Sequence, residues 1–310
     1  FRGLDGFVIR WELASGETGA PPVAAGEFPN PAIRPGGSAV FPLEMPTVGI
    51  VPGREYFLNV RAEYARDEPL IPRGHVAAAG QFPVGLVRPG PAVKAADMRP
   101  VTFVPSCPRV TGRMKVTVGG SGFSASFDRT TGMLTSYVFR GKEFVRTGLE
   151  PHFWRAPTDN DFGNGMPQRC RPWLTASQER KLESFSLRKI SPREVEIRVL
   201  FSYPPLLSRT ETVYRLRADG LLRVTHTFTP GGDPLPELPR LGLITRLAPE
   251  LKNVAWLGRG PQENYWDRKS GAPVGLYRSP ADRLAHPYVR PQESGYRSDV
   301  RWVSFTDSQG

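Results

Sequence analysis

Short runs that alternate apolar and polar residues, rich in β-branched and aromatic side chains, recur along the whole chain. They predict strands at Phe7–Leu13, Glu55–Tyr64, Met114–Val118, Glu194–Tyr203, Glu211–Arg217 and Leu222–Phe228. No stretch of about ten residues or more has a convincing 3.6-residue apolar period, so we expect no long helix. The 32 Gly and 33 Pro supply the turns that many short strands need. The sequence therefore predicts an all-β fold.

A Pro-rich segment, Val87–Pro108, divides this strand pattern into two parts. Before it, short strands and Pro-rich turns fill a length typical of an immunoglobulin-like β-sandwich. After it, longer hairpins, one with a turn at Asp219-Gly220, predict a large antiparallel sandwich. We therefore expect an immunoglobulin-like domain at residues 1–100 and a large sandwich domain at residues 101–310. Because Arg301–Gly310 looks like a strand running into a turn, we expect the second domain to be truncated at its C-terminus.

The net charge of +11 comes from 41 basic and 30 acidic residues. The basic residues are scattered and never form a run of four, whereas nucleic-acid binding needs a basic cluster on one face or arm. No apolar run approaches the ~20 residues of a membrane span, and the first residues do not form a leader. We expect neither a nucleic-acid nor a membrane partner, and cytoplasm and periplasm both remain open as compartments.

Cysteine and histidine spacing predicts no metal centre. Cys107 and Cys170 are far apart and have neither a CxxC partner nor a nearby His, and a disulfide between them remains open. The chain has no HExxH, no Ser–His–Asp order and no phosphate-cradling Gly loop. No metal-ligand spacing relates the four histidines, His75, His152, His226 and His286. We therefore assign no catalytic residue and no metal ligand.

The densest polar motif is FWRAPTDNDFGNG, which places Asp159, Asn160 and Asp161 between a Pro and two Gly. Counted from Asp159, an EF-hand loop would need Glu at the position that Cys170 occupies, so a calcium loop is excluded. Two acids in one short loop do not flank a substrate from opposite sides, which glycoside hydrolysis requires. Two interpretations remain: the acids satisfy backbone N–H groups of the loop, or they pair with Arg155.

The second polar motif follows the apolar run NVAWLG and is expected on a loop at a strand end, where functional groups collect. The second motif is GRGPQENYWDRKSG, Gly258–Gly271, and it contains Glu263, Asn264, Tyr265, Asp267 and Arg268. The third motif is HPYVRPQESGYRSDVRW, His286–Trp302, in which aromatic and polar residues alternate with Pro and Gly.

Four motifs, taken in order and spacing, resemble the C-terminal region of family 2 glycoside hydrolases, specifically the large multidomain bacterial β-galactosidases. They are FWRAPTDNDFG, LPRLGLITRL (Leu238–Leu247), GRGPQENYWDR and HPYVRPQESGYRSDVRW. The N-terminal FVIRWELASGE similarly resembles the opening of the sandwich domain that precedes that region. The resemblance implies an immunoglobulin-like domain followed by a supersandwich of the galactose-mutarotase type.

The resemblance also implies that this portion is not catalytic. The family's general acid and nucleophile are Glu residues on a (β/α)₈ barrel N-terminal to anything in this sequence, and its magnesium and sodium ions bind at that barrel. The chain would support the barrel, form one wall of the galactoside cleft and make contacts between copies of the complete enzyme, and it would be inactive alone. A carbohydrate or interface face would comprise Arg155, Asp159, Asn160, Asp161, Glu263, Asn264, Tyr265, Asp267 and Arg268.

Two alternatives remain open. A free-standing aldose mutarotase or epimerase would need an acid/base pair, which His226 with Glu263 or Glu293 could supply. A carbohydrate-binding module would stack sugar rings on exposed aromatic side chains. The candidates for that stacking are Trp173, Tyr265, Trp266 and Tyr288.

Two local expectations complete the sequence analysis. Arg171–Lys181 is polar, lacks strand alternation and resembles the family's mobile loop, so we expect Thr175–Glu179 to be mobile. We also expect the first and second motifs to meet through an ion pair of Arg155 or Arg268 with a carboxylate of the other motif.

Overall fold

Antiparallel strands predominate in the computed structural model, which confirms the all-β sandwich class. In the parts of the chain that the structure describes, the strands form five sheets and the longest helix has eight residues. None of the helices in these parts has the length and apolar character needed to cross a membrane. The structure describes residues 2–16, 21–28, 32–44, 49–85, 101–105, 114–232 and 234–309.

The elements are numbered in chain order. The first ten strands are β1 Phe7–Ser15, β2 Ala24–Phe28, β3 Tyr56–Tyr64, β4 Val76–Val84, β5 Thr102–Pro105, β6 Lys115–Gly120, β7 Phe123–Asp128, β8 Met133–Phe139, β9 Lys142–Glu143 and β10 Val145–His152. Three helices follow: α1 Asp159–Gly163, α2 Met166–Arg169 and α3 Pro172–Glu179. The remaining strands are β11 Lys181–Ser191, β12 Glu194–Tyr203, β13 Ser208–Arg217, β14 Leu222–Thr229, β15 Gly242–Leu247, β16 Asn253–Arg259, β17 Val274–Pro280 and β18 Trp302–Thr306.

The chain folds into two compact units, and each unit combines separate stretches of sequence. Unit 1 comprises Phe1–Val93, Lys252–His286 and Ser294–Gly310, and unit 2 comprises Lys94–Leu251 and Pro287–Glu293. This spatial division differs from the expected domain limits of residues 1–100 and 101–310, which stay a prediction.

The N-terminal sheet of unit 1 has the order β2-β1-β3-β4, and all its pairs are antiparallel. Because side chains alternate between faces, its register places Leu13 beside Leu58 on one face and Glu12 beside Asn59 on the other. Leu13 is fully buried, whereas Arg10 on the opposite face is exposed. This alternation explains why FVIRWEL predicts a strand with one apolar and one polar face.

A side-chain amide of the N-terminal sheet bonds to a second sheet of unit 1, which is ordered β17-β16-β18. Gln81 on β4 accepts a hydrogen bond from the backbone N–H of Val274 at 2.7 Å and donates one to its carbonyl oxygen at 3.0 Å. The amide therefore pairs with β17 as a neighbouring backbone would. Phe57, Leu257 and Val274 form a small apolar cluster beside it.

Unit 2 holds the larger hydrophobic core, which lies between the sheet β11-β12-β13-β14 and the sheet β5-β6-β7-β8-β9. The predicted turn at Asp219-Gly220 joins β13 to β14, and Gly220 has a φ of +88°, which favours glycine. The largest fully buried side chains at this core are Phe127, Phe153, Trp173, Ile197, Tyr203, Tyr214 and Leu216.

Arg171–Lys181 is not a loop without regular structure, because Pro172–Glu179 forms helix α3. Trp173 anchors this helix: its side chain is 1% exposed, packs against Phe153 and Phe228, and donates a hydrogen bond to the carbonyl oxygen of Pro236 at 2.9 Å. The expectation that Trp173 stacks on a sugar ring is therefore wrong. The mobility of Thr175–Glu179 stays a prediction.

Candidate functional site

The first motif closes on itself through Asp161, at the start of α1. The Arg155 guanidinium binds both carboxylate oxygens of Asp161, with Nη2 to Oδ1 at 2.8 Å. Oδ2 also accepts hydrogen bonds from the backbone N–H of Thr158 at 2.7 Å and from its hydroxyl at 2.9 Å. Thr158 is the N-cap of α1, so Asp161 completes a capping box. Asp161 therefore both accepts a backbone N–H of the loop and pairs with Arg155, so both interpretations of this motif apply.

These bonds keep Asp161 ionised although its side chain is almost buried. The Arg155 guanidinium, followed by the Thr158 hydrogen bonds, lowers the pKa of Asp161 from 3.8 to about 2 against the opposing effect of burial. A carboxylate with this pKa does not act as a general acid near neutral pH. Asp161 therefore fixes the backbone of this loop through Thr158 and forms a fixed ion pair with Arg155.

The other two polar residues of the first motif are exposed. Asp159 accepts a hydrogen bond from Arg290 of the third motif at 3.1 Å, and both side chains are at least 70% exposed. Asn160 is also exposed. An exposed ion pair of this kind contributes at most about 1 kcal/mol. The structure thus brings the first and third motifs together, although 131 residues separate Asp159 from Arg290.

Arg240, from LPRLGLITRL, joins the same region of unit 2. Its backbone N–H donates to the carbonyl oxygen of Phe153 at 3.2 Å, and its guanidinium pairs with Glu293 of the third motif. Burial, and then the charge of Arg240, lower the pKa of His152. The sequence analysis did not single out Arg240. Its position before the apolar run of β15 was the available signal, because a guanidinium at a strand end can reach a neighbouring loop.

The second motif forms a hydrogen-bonded loop within unit 1. Glu263 accepts hydrogen bonds from the backbone N–H of Gly295 at 2.7 Å and from the Ser294 hydroxyl at 3.3 Å, and it pairs with Arg268 at 2.5 Å. The Asn264 side-chain oxygen accepts from both the backbone N–H and the hydroxyl of Ser298, at 2.8 and 2.6 Å. The third motif therefore supplies the partners of the second.

The tip of the second motif is a turn whose ends, Tyr265 and Arg268, form an isolated antiparallel bridge. The Tyr265 ring is stacked on Tyr296 with ring centroids 5.3 Å apart. Trp266 is 75% exposed, and the Lys269 ammonium lies 4.4 Å from its ring centroid. Asp267 is exposed beside it. Trp266 is the aromatic residue of this motif with a ring surface available to solvent.

Arg155 and Arg268 each have a partner in their own motif: Arg155 pairs with Asp161, and Arg268 pairs with Glu263. The expected ion pair between the first and second motifs stays a prediction. Among the described residues, no group of three or more His, Cys, Asp or Glu side chains is arranged to hold a metal ion. Cys170 is a buried free thiol whose pKa is raised by burial, and Cys107 lies outside the described residues.

His226 bonds Thr212 through its Nδ1 at 2.8 Å, and its buried Nε2 has no hydrogen-bond partner among the residues that the structure describes. Glu293, its proposed acid/base partner, pairs with Arg240 instead. The pairing of His226 with Glu263 stays a prediction.

Burial lowers the pKa of His226 below 6.5, so the folded protein holds a neutral imidazole. As the pH falls, the His226 imidazole of the unfolded chain is protonated at a higher pH than that of the folded protein. The free energy of unfolding should therefore decline as the pH falls below about 6.5. We expect His226→Gln to lose less stability than the wild type between pH 7.5 and pH 5, measured by denaturant unfolding. The exposed His75→Gln is the matched control. An equal loss in His226→Gln and the wild type would contradict the expectation.

Comparison with known proteins agrees with the motif geometry. Residues 119–310 match the family described as "Beta galactosidase small chain". The chain belongs to the β-galactosidase family. Residues 1–85 match the family described as "Beta-galactosidase, domain 4", so the N-terminal sheet of unit 1 corresponds to that domain.

Bacterial β-galactosidases are similar to this chain over most of its length. The enzyme of Priestia megaterium is 33% identical over 258 residues, which are 83% of this chain and 24% of that protein. The enzyme of Halalkalibacterium halodurans is 31% identical over 283 residues, covering 90% of this chain and 27% of that protein. The enzyme of Aeromonas hydrophila is 29% identical over 314 residues, which cover 97% of this chain and 29% of that protein. The chain thus spans about a quarter of these relatives.

Proposed function

We propose that this chain is the non-catalytic C-terminal portion of a β-galactosidase that hydrolyses terminal β-D-galactosides. In the complete enzyme it supports the catalytic barrel, forms one wall of the substrate cleft and takes part in contacts between enzyme copies. The observation that carries the proposal is that the acids most conspicuous in the sequence hold loops in place. Asp161 is bound by Arg155 and Thr158, and Glu263 is bound by Arg268, Ser294 and Gly295.

Retaining hydrolysis needs two carboxyl groups roughly 5 Å apart, one ionised as the nucleophile and one protonated as the general acid. Asp161 is ionised but is bound on both oxygens, so neither oxygen is free to attack a sugar. The magnesium and sodium ions of the family belong, in this proposal, to the barrel site. Among the described residues, no group of three or more His, Cys, Asp or Glu side chains is arranged to hold such an ion.

Activity measurements with a partner chain test this proposal. We expect no hydrolysis of a chromogenic β-galactoside by this chain alone. We expect hydrolysis to appear when the chain is co-expressed with the N-terminal three quarters of the Priestia megaterium enzyme, and to stay at background when that portion is expressed without this chain. Turnover by this chain alone that disappears on substitution of one of its carboxylates would overturn the proposal. Failure of the chain to associate with the N-terminal portion would contradict the supporting role.

The mutarotase alternative is tested on the same protein. Freshly dissolved α-galactose is followed by optical rotation with and without the chain. The proposal expects the uncatalysed rate, because Nδ1 of His226 is bonded to Thr212 and its Nε2 is buried away from a dissolved sugar. Faster mutarotation that is abolished by His226→Gln would favour the alternative.

A further inference from the structure

A polar groove runs across the exposed face of the N-terminal sheet, entirely within unit 1. Two cavities form it, with volumes of about 400 and 430 Å³, and both are lined by Asn59 and Arg61 of β3. The first extends over β1 and β2, and the second extends over β4 to the start of β17. Each volume lies in the range of small-molecule sites. The three polar motifs do not line the first cavity, whereas Ser270 and Gly271, at the end of the second motif, line the second cavity.

A row of planar polar side chains forms the floor of the groove. The Gln81 amide donates to the Asn59 side-chain oxygen at 3.0 Å, and the Asn59 amide donates to Glu12 at 3.2 Å. Arg61 donates to the same Glu12 oxygen at 3.2 Å. The antiparallel register sets this row, because it places Glu12 opposite Asn59 and Asn59 opposite Gln81. The row therefore offers fixed donors and acceptors whose orientation needs little further ordering on binding.

Each arginine of the groove is paired with a carboxylate that also lines it. Arg61 pairs with Glu12 at 3.2 Å. Arg10 pairs with Glu27 at 3.0 Å and lies 3.6 Å from Glu63. A phosphate or sulfate group would have to compete with these carboxylates for each guanidinium. The groove therefore favours an uncharged ligand with many hydroxyl groups.

An aromatic ring borders the second cavity. Tyr277 on β17 lines it, and its hydroxyl donates to the carbonyl oxygen of Pro273 at 2.9 Å, which fixes the ring. Glycine at position 275 leaves room for this ring, since a Cβ there would lie 3.1 Å from its atoms. Planar amides and carboxylates that bind hydroxyl groups, together with a fixed ring that can pack on C–H groups, are the chemistry that holds a sugar.

We propose that this groove binds a neutral oligosaccharide of about two or three sugar rings, a length that two adjoining cavities of this size accommodate. Glu12, Asn59 and Arg61 bind its hydroxyl groups, and Tyr277 packs against one ring. The site goes beyond the proposed function, because it requires neither the barrel nor hydrolysis. In the complete enzyme it would hold a saccharide without cleaving it.

Calorimetric titration of the whole chain with lactose and with a linear β-1,4-galactotetraose tests the proposal. We expect saturable binding of the tetraose that is at least tenfold weaker in Glu12→Gln and in Tyr277→Leu. The matched control is Glu211→Gln, because Glu211 pairs with Arg198 on the β11-β12-β13-β14 sheet of unit 2 and is exposed to about the same extent as Glu12. The control should bind as the wild type does.

Nuclear magnetic resonance of the wild-type chain supplies a measurement that needs no variant. The side-chain amide signals of Asn59 and Gln81 should shift on addition of the tetraose, with the same midpoint as the calorimetric titration. Unchanged affinity in both groove variants, no shift of these amides, or no binding at all would overturn the proposal. Tighter binding of a sulfated galactan oligosaccharide than of the neutral one would overturn the assignment of an uncharged ligand.

Discussion

Replacing Asp161 with Ala should lower the free energy of unfolding by about 3 kcal/mol, since it leaves the partly buried Arg155 guanidinium without its carboxylate. The substitution also removes the acceptor of the Thr158 N–H and hydroxyl, and with it the capping box of α1. Denaturant unfolding followed by tryptophan fluorescence measures the change, because Trp173 is buried in the same unit.

The matched control is Asp159→Ala, two residues away. Asp159 also pairs with an arginine, but both partners are at least 70% exposed, so the loss should stay below about 1 kcal/mol. The pH dependence gives a second readout. The folded pKa of Asp161 is depressed, so its contribution is complete above pH 3.8 and is lost as the pH falls toward about 2. Equal losses in the two variants would show that Asp161 is no more than a surface acid.

Replacing Asn264 with Ala should cost about 2–4 kcal/mol, because it leaves the N–H and hydroxyl of Ser298 buried without an acceptor. Asn264 is 1% exposed and Ser298 is 2% exposed, so water does not substitute freely for the lost amide. The same unfolding experiment measures the effect. The substitution should also loosen the loop that carries Trp266, seen as faster amide exchange of residues 264–268.

Asn160→Ala is the control for Asn264→Ala, since Asn160 is an exposed Asn in the first motif. Its substitution should change stability by less than about 0.5 kcal/mol. If Asn264→Ala were as mild as Asn160→Ala, the hydrogen bonds to Ser298 would not hold the second and third motifs together.

The strands were predictable because their signal is local. Side chains of a strand alternate with a period of two, and six or more residues suffice to show it. The predicted strand Glu194–Tyr203 has the same bounds as β12. The predicted strand Leu222–Phe228 begins with β14 and ends one residue before the end of β14. Helix α3 escaped prediction because eight residues make only about two turns, too few for a periodic pattern. Its anchor, Trp173, is buried by residues far away in the sequence, such as Phe228.

The candidate site was predictable in its parts but not in its arrangement. The Arg155–Asp161 pair spans six residues in one loop, and the alternatives weighed from the sequence included it. In contrast, Arg290 reaches Asp159 across 131 residues, and Gly295 reaches Glu263 across 32. Such pairs depend on the path of the chain between them, which no local pattern specifies.

The sequence by itself determined the all-β class, the family and the loops in which the polar motifs lie, because turn residues, alternation and motif order act over short distances. Only the tertiary structure decided which acids serve as structural anchors, that residues 252–286 pack with the N-terminal sheet, and that Glu12, Asn59 and Gln81 form one row. The physical reason is that burial, pKa and charge balance depend on which strands are neighbours. Strand neighbours are selected by the packing of the whole unit.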